Sequence, residues 1–223
     1  MKRVAVLSDV HGNLPALEAV LAEVDADAIV CCGDVSLGPM PAECLERLRA
    51  LGAHFVRGNC DRSPGDEWVE RQLTQEQLGF LRDLPTTVSL DVDGLGAVLF
   101  CHGSPRSDEE ILTRISPESR VVDALAGVSE HVVVGGHTHV QYDREVGGHR
   151  LVNAGSVGMP YEGRQGAFWA MLGPDVDLRR TEYDVEPTAA VIEALGRKDH
   201  ALWLREPRDP AQVSAYFESL EGA

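Results

Sequence analysis

A mixed α/β fold, with a β core covered by helices, is what this sequence predicts. Two patterns carry that reading. Short apolar runs alternate with helical periodicities through the first sixty positions, and closely spaced strand patterns replace them later. A third observation bears on chemistry: side chains able to hold a metal stand just after the apolar runs.

The elements follow in order. "RVAVLS" (3–8) is a β-branched apolar run, and "LPALEAVLAEV" (14–24) has helical periodicity. "AIVCC" (28–32) is a second strand pattern, "PAECLERLRALG" (41–52) a helix closed by Gly52, and "HFVRG" (54–58) a third strand. This alternation argues for βαβ units and a parallel sheet. Residues 66–84 read as helical, with Thr74 and Gln77 as a capping box. "TTVSLDV" (86–92) and "GAVLFCH" (96–102) flank "DGLG", a hairpin signal. A helix is expected over about 108–126. Strand patterns follow at 131–136, 141–146, 149–155, 166–172 and 176–185, close enough together to predict antiparallel pairing. Residues 187–220 read as helical.

A chain of 223 residues suits one large domain and is short for two. A single domain over 1–223 is expected, with 187–223 as a helical C-terminal extension whose default role is packing. Shielding a site or forming a homo-oligomer contact are the alternatives. The formal charge of −16 repels polyanions, so a nucleic-acid polymer is not an expected partner. No apolar stretch approaches the length of a signal-peptide core or a membrane span, so no membrane partner and a cytoplasmic location are expected. The five cysteines include no C-x-x-C and suit a reducing compartment.

Metal-competent side chains follow the apolar runs in a regular way. "SDVHGN" supplies Asp9 and His11, "CGDV" supplies Asp34, and "RGNCD" supplies Asn59. "FCHGS" supplies His102, and "GGHTH" supplies His137 and His139. Strand C-terminal ends in a parallel sheet converge on one edge. Residues i and i+2 on an extended chain face the same side about 6–7 Å apart. That gap suits two metals roughly 3.5–4 Å apart better than one. Asp34 is the expected bridge. Oxygen and imidazole donors suit Mn, Fe, Zn, Co or Ni rather than Ca or a cysteine-bound zinc, and Mn is placed first.

Together, "DVHGN", "GDVSLGP", "GNCD", "CHGSP", "GGHTHV" and "NAGSVGMP" resemble the motifs of the calcineurin-like metallophosphoesterase family. They run from residue 9 to about 160, and the likeness is greatest to small prokaryotic phosphodiesterases whose third motif reads G-N-C-D. The resemblance implies a four-layer α/β/β/α sandwich with mixed sheets and two divalent metal ions. It implies that Asp9, His11 and His139 hold one ion, that Asn59, His102 and His137 hold the other, and that Asp34 bridges them. The implied reaction is in-line attack on phosphorus by a metal-bridging water or hydroxide, on a small-molecule phosphate ester. Asp34, Asn59, Cys60, Asp61 and His102 are the implied catalytic set.

Cys60 departs from the family pattern, in which many members carry a histidine that protonates the leaving group. A thiol is a poor substitute, so good leaving groups such as aryl phosphodiesters are the expected substrates; simple packing beside Asn59 is the competing reading. Asp61 is expected to orient the loop. Arg57 and Arg62 flank the third motif as candidate phosphate ligands, with an ordinary surface role as the alternative. Ser104 and Asn153 are further candidates for lining the pocket. A phosphodiesterase is the first functional expectation. The alternatives are a phosphomonoesterase, a dinucleoside polyphosphatase, or a non-catalytic scaffold on the same fold.

Overall fold

The structure, a computed structural model, describes residues 1–221. In chain order the elements are β1 (Val4–Leu7), α1 (Leu14–Glu23), β2 (Ala28–Cys31), α2 (Pro41–Ala50), β3 (His54–Phe55), α3 (Asn59–Arg62), α4 (Glu67–Gln72) and α5 (Gln75–Arg82). They continue as β4 (Val88–Val92), β5 (Gly96–Phe100), α6 (Glu118–Ala124), β6 (Val132–Gly135), β7 (Tyr142–Val146) and β8 (His149–Asn153). The last are β9 (Ala167–Leu172), β10 (Val176–Thr181), α7 (Val185–Ala194), α8 (Lys198–Arg205) and α9 (Pro210–Glu221).

Two five-stranded mixed sheets result, in the orders β10-β9-β1-β2-β3 and β4-β5-β6-β8-β7. The period-two alternation of strands sorts their side chains into layers. Val4, Val6 and Val30 of the first sheet meet Val98, Phe100, Val132, Val134 and Val152 of the second, forming the core between the sheets. The opposite face of the first sheet, with Ala5, Leu7 and Cys31, packs under Leu17, Val20, Leu45 and Leu48 of α1 and α2. The outer face of the second, with Leu99, Val133 and Leu151, packs on Val121 and Ala124 of α6. Helix, sheet, sheet, helix is the layer order expected above.

The structure corrects the sequence reading in several places. Strand β6 pairs with β8 in parallel, and β9 leaves for the first sheet to pair antiparallel with β1 and β10. Only β7–β8 and β9–β10 keep the expected antiparallel neighbour pairing. The helix expected over 108–126 is irregular up to Pro117. Ser104 Oγ accepts from the N–H groups of Arg106 and Ser107, and the acidic side chains beyond are drawn into ion pairs with Arg57, Arg62 and Arg106. Residues 66–84 split at Leu73, which is extended (φ −106°, ψ 140°). The capping box is present, with Gln77 N–H donating to Thr74 Oγ1 at 3.2 Å and Thr74 N–H to Gln77 Oε1 at 2.9 Å. A cap starts a helix, so it also accounts for the break. Among the described residues, no helix is long and apolar enough to cross a membrane. All five cysteines are free.

Candidate metal centre

The first surprise is conformational. Asp9, His11, Asp34, His137 and His139 all lie past their strand ends with positive φ, at 53°, 45°, 55°, 69° and 57°. Among the described residues, no other non-glycine residue does so. Each such placement costs roughly 1–3 kcal/mol and persists only where the surroundings enforce it. The extended i, i+2 geometry expected for the two pairs is therefore replaced by left-handed turns, which fold the donors inward instead of along a strand. Neighbouring glycines make room. A Cβ on Gly58 would overlap the Asp34 carboxylate, and one on Gly136 would overlap Ser8 Oγ.

The donor atoms gather in two groups. His139 Nε2 lies 3.0 Å from Asp9 Oδ1 and 3.1 Å from His11 Nε2. His102 Nε2 lies 3.1 Å from Asn59 Oδ1 and 3.5 Å from Asp34 Oδ2. Asp34 Oδ2 also lies 3.8 Å from His11 Nε2, so this carboxylate stands between the groups. His137 closes the second group through its ring, 4.9 Å from that of His102. Its Nε2 donates to Glu109 O at 3.2 Å, which leaves Nδ1 as the nitrogen available to a ligand.

Backbone carbonyls fix the other imidazoles. Nδ1 of His11, His102 and His139 donates to the oxygens of Leu37, Cys32 and Met159 at 3.0, 2.7 and 2.7 Å. A carbonyl only accepts, so Nδ1 carries a proton in each ring, and in the neutral ring the Nε2 lone pair points into the centre. Asp9 is held the same way: its Oδ2 accepts from Ser8 Oγ at 2.6 Å and from His137 N–H at 2.9 Å. Its Oδ1 is buried without a hydrogen-bond partner. An orphaned carboxylate oxygen beside two facing imidazole lone pairs is poorly satisfied by itself and well satisfied by a cation. The oxygen-and-imidazole donor set fits a borderline divalent metal.

The charges are strongly linked. Burial lowers His11, and the adjacent His139 lowers it further. At His139 and His102 burial acts downward too, but the carboxylates of Asp9 and Asp34 outweigh it, raising His139 and carrying His102 to about 10. His137 falls to about 4, through burial and then the His102 charge. Burial pushes Asp9 and Asp34 upward. His139 more than offsets this at Asp9, held at about 2, and His102 does so at Asp34, which lies far below the usual carboxylate range.

Other expected residues have supporting places. Asp61 is buried, and its carboxylate accepts the N–H groups of Asp34, Val35 and Gly58 rather than facing the donors. Cys60 N–H donates to Asp34 Oδ1 at 2.9 Å, and Asn59 Nδ2 lies 3.4 Å from Cys60 Sγ. Burial, then the Asp34 carboxylate, holds the Cys60 thiol well above its ordinary range. Arg57 and Arg62 both bond Asp108 Oδ2 through Nε, at 3.3 and 3.2 Å. Asn153 Nδ2 donates to Gly136 O and Thr138 Oγ1, bracing the histidine turn, and Ser104 caps its own turn.

Several contributors were not singled out in the sequence. Ser8 holds Asp9, and its position beside Asp9 in the first motif was the available signal. Ser156 Oγ donates to Asp9 O at 2.8 Å and accepts from Met159 N–H, which explains the "NAGSVGMP" segment. Tyr161 stacks on His139, with ring centroids 4.8 Å apart and planes 18° apart, and no local pattern marks it.

The chain was compared with known proteins. The calcineurin-like phosphoesterase superfamily domain matches residues 1–172. Phosphodiesterase YfcE of Escherichia coli is 32% identical over 193 residues, covering 79% of this chain and 90% of the relative. An uncharacterized protein of Methanocaldococcus jannaschii is 30% identical over 220 residues, covering 82% of this chain and 88% of its own length. The crystal structure of a metallophosphoesterase from Sphaerobacter thermophilus superposes with a TM-score of 0.76 at 30% identity, covering 92% of this chain and 99% of that one.

Proposed function

Because the chain belongs to the calcineurin-like phosphoesterase superfamily, we propose that it is a phosphodiesterase dependent on two divalent metal ions. Manganese is the first candidate, with Fe, Zn, Ni or Co as alternatives, and the whole chain acts as one domain. The observation that supports this is the pair of strained donor groups on either side of Asp34. Asp9 Oδ1, His11 Nε2 and His139 Nε2 would hold one ion. Asn59 Oδ1, His102 Nε2 and His137 Nδ1 would hold the other, and Asp34 would serve both.

Bound divalent ions in such a pair lower the pKa of water and offset charge on phosphoryl oxygens. The protein's own contribution is preorganisation. Backbone carbonyls keep three Nδ1 atoms protonated, so three Nε2 atoms stay available as donors. Asp61 fixes the loop that carries Asp34. Arg57 and Arg62, committed to Asp108, hold the segment whose Glu109 carbonyl orients His137. By the family pattern, Cys60 stands at the motif position of the residue that protonates the leaving group. A buried thiol serves that step poorly, so esters that leave as stable anions are the favoured class.

The test is hydrolysis of bis(p-nitrophenyl) phosphate and p-nitrophenyl phosphate by metal-stripped protein re-supplied with each ion. Metal-dependent cleavage, faster on the diester and lost in Asp34→Ala, is expected. No turnover with any ion, or turnover untouched by Asp34→Ala, would refute it.

A further inference from the structure

The C-terminal segment builds a cleft of about 550 Å³ against the metal centre, lined by residues including Tyr161, Trp203, Arg208, Tyr216 and Phe217. Two of its walls are also neighbours of donor imidazoles. Tyr161 stacks on His139, and the Phe217 ring lies 6.5 Å from that of His137. The cleft therefore lies one ring away from the donor imidazoles, with Tyr161 as the wall they share.

Its chemistry is specific. The Arg208 guanidinium lies over two rings, 5.6 Å from the centroid of Tyr161 and 5.5 Å from that of Trp203. Most arginines of this acidic chain are tied to carboxylates, but among the described residues Arg208 has no ion pair, although Glu206 and Asp209 line the same cleft. A cation held between aromatic faces keeps its outward N–H groups available to an anion. Trp203 is half-buried and Tyr216 is exposed, so flat apolar surface remains for a planar group.

We propose that this cleft binds the group that stays on phosphorus, a planar aromatic substituent with anionic character, as in one half of a nucleotide diester. Arg208 takes the anionic oxygens, and Trp203 and Tyr216 take the planar ring. The assignment rests on the phosphodiesterase reading above. Cys60, the leaving-group residue in that reading, contacts Asn59 and Asp34, whereas the cleft wall Tyr161 stacks on His139. The retained substituent therefore falls to the cleft. In this way the extension beyond the sequence motifs sets specificity and does more than pack.

The experiment compares thymidine 3′-phosphate 5′-(p-nitrophenyl phosphate), whose retained half carries both a planar ring and a second anion, with methyl p-nitrophenyl phosphate. The two share a leaving group and differ only in the retained substituent. The metal-loaded full chain is used, with Arg208→Ala and with Arg208→Gln, which keeps a side chain over the rings without the charge. The ratio of kcat/KM for the thymidine ester over the methyl ester is expected to fall about tenfold or more in both variants, through KM. An unchanged ratio overturns the inference, as does an equal fall on both esters. If wild type cleaves neither ester, the functional reading fails, and binding of thymidine 5′-monophosphate followed by tryptophan fluorescence decides the inference alone. Binding by wild type that is lost in Arg208→Gln supports it, and no binding by wild type overturns it.

Discussion

The Asp61 carboxylate accepts the backbone N–H of Asp34 at 2.8 Å, and its second oxygen accepts the N–H of Val35 at 3.0 Å. It thus fixes the turn in which Asp34 adopts a φ of 55°. Asp61→Asn would set an amide N–H₂ against a backbone donor. The expected result is a loss of metal affinity of about 10–100-fold, the usual effect of removing an outer partner of a ligand. Calorimetric titration with Mn²⁺ checks this, and Asp61→Glu should recover part of the affinity.

Gly58 has an ordinary φ of −90°, so a larger residue there meets no backbone strain. The obstacle is space, because a Cβ would strike the Asp34 carboxylate. A Cβ there would also overlap the Asp34 backbone nitrogen, so Gly58→Ala should lower diester turnover at least about a hundredfold and should lower the melting temperature as well. Equal activity in the variant would show that Asp34 has freedom the structure does not suggest.

Cys60→His tests the leaving-group argument. General-acid assistance is worth roughly 10²–10⁴ in rate. Turnover of an alkyl diester with a poor leaving group should rise about tenfold or more, and that of bis(p-nitrophenyl) phosphate should change little. No gain on the poor leaving group would leave Cys60 as packing beside Asn59.

The Arg120–Glu218 pair, at 2.6 Å, ties α9 to α6, and the Thr113 and Ser116 hydroxyls of the irregular segment before α6 also donate to Glu218. Burial raises the Glu218 carboxyl, but these hydroxyls and Arg120 outweigh it, so its pKa lies below the ordinary 4.5. A depressed folded-state value means stability that is present above the unfolded pKa and lost as pH falls through the folded one. Glu218→Gln should cost about 1–3 kcal/mol at neutral pH. The gap from wild type should close as pH drops below about 4.5. Urea unfolding at pH 7 and pH 3.5 checks both.

How much of this was legible in the sequence varies with the residue. His102 and Asn59 follow apolar runs and carry their own motifs, so chain order alone locates them. The left-handed turns at Asp9, His11, His137 and His139 left no mark, because nothing in the local pattern distinguishes them from extended residues. The parallel pairing of β6 with β8 was hidden by the short spacing of the strands, and β7 intervenes as an edge strand. The segment before α6 carries Ile111, Leu112 and Ile115 at spacings that suit a helix, but Ile115 is exposed and the neighbouring charges pair elsewhere. Arg208 and Tyr161 come together only in three dimensions, across 47 positions of sequence.

The measurement that bears most directly on the central claim is the number of divalent ions bound per chain in active protein. Metal-stripped protein would be reloaded with Mn²⁺, desalted, assayed on bis(p-nitrophenyl) phosphate and analysed for metal by elemental mass spectrometry. Two ions per chain, with activity rising as the second site fills and both lost in Asp34→Ala, is the predicted result. Full diesterase activity with one ion per chain, or with none, would contradict it.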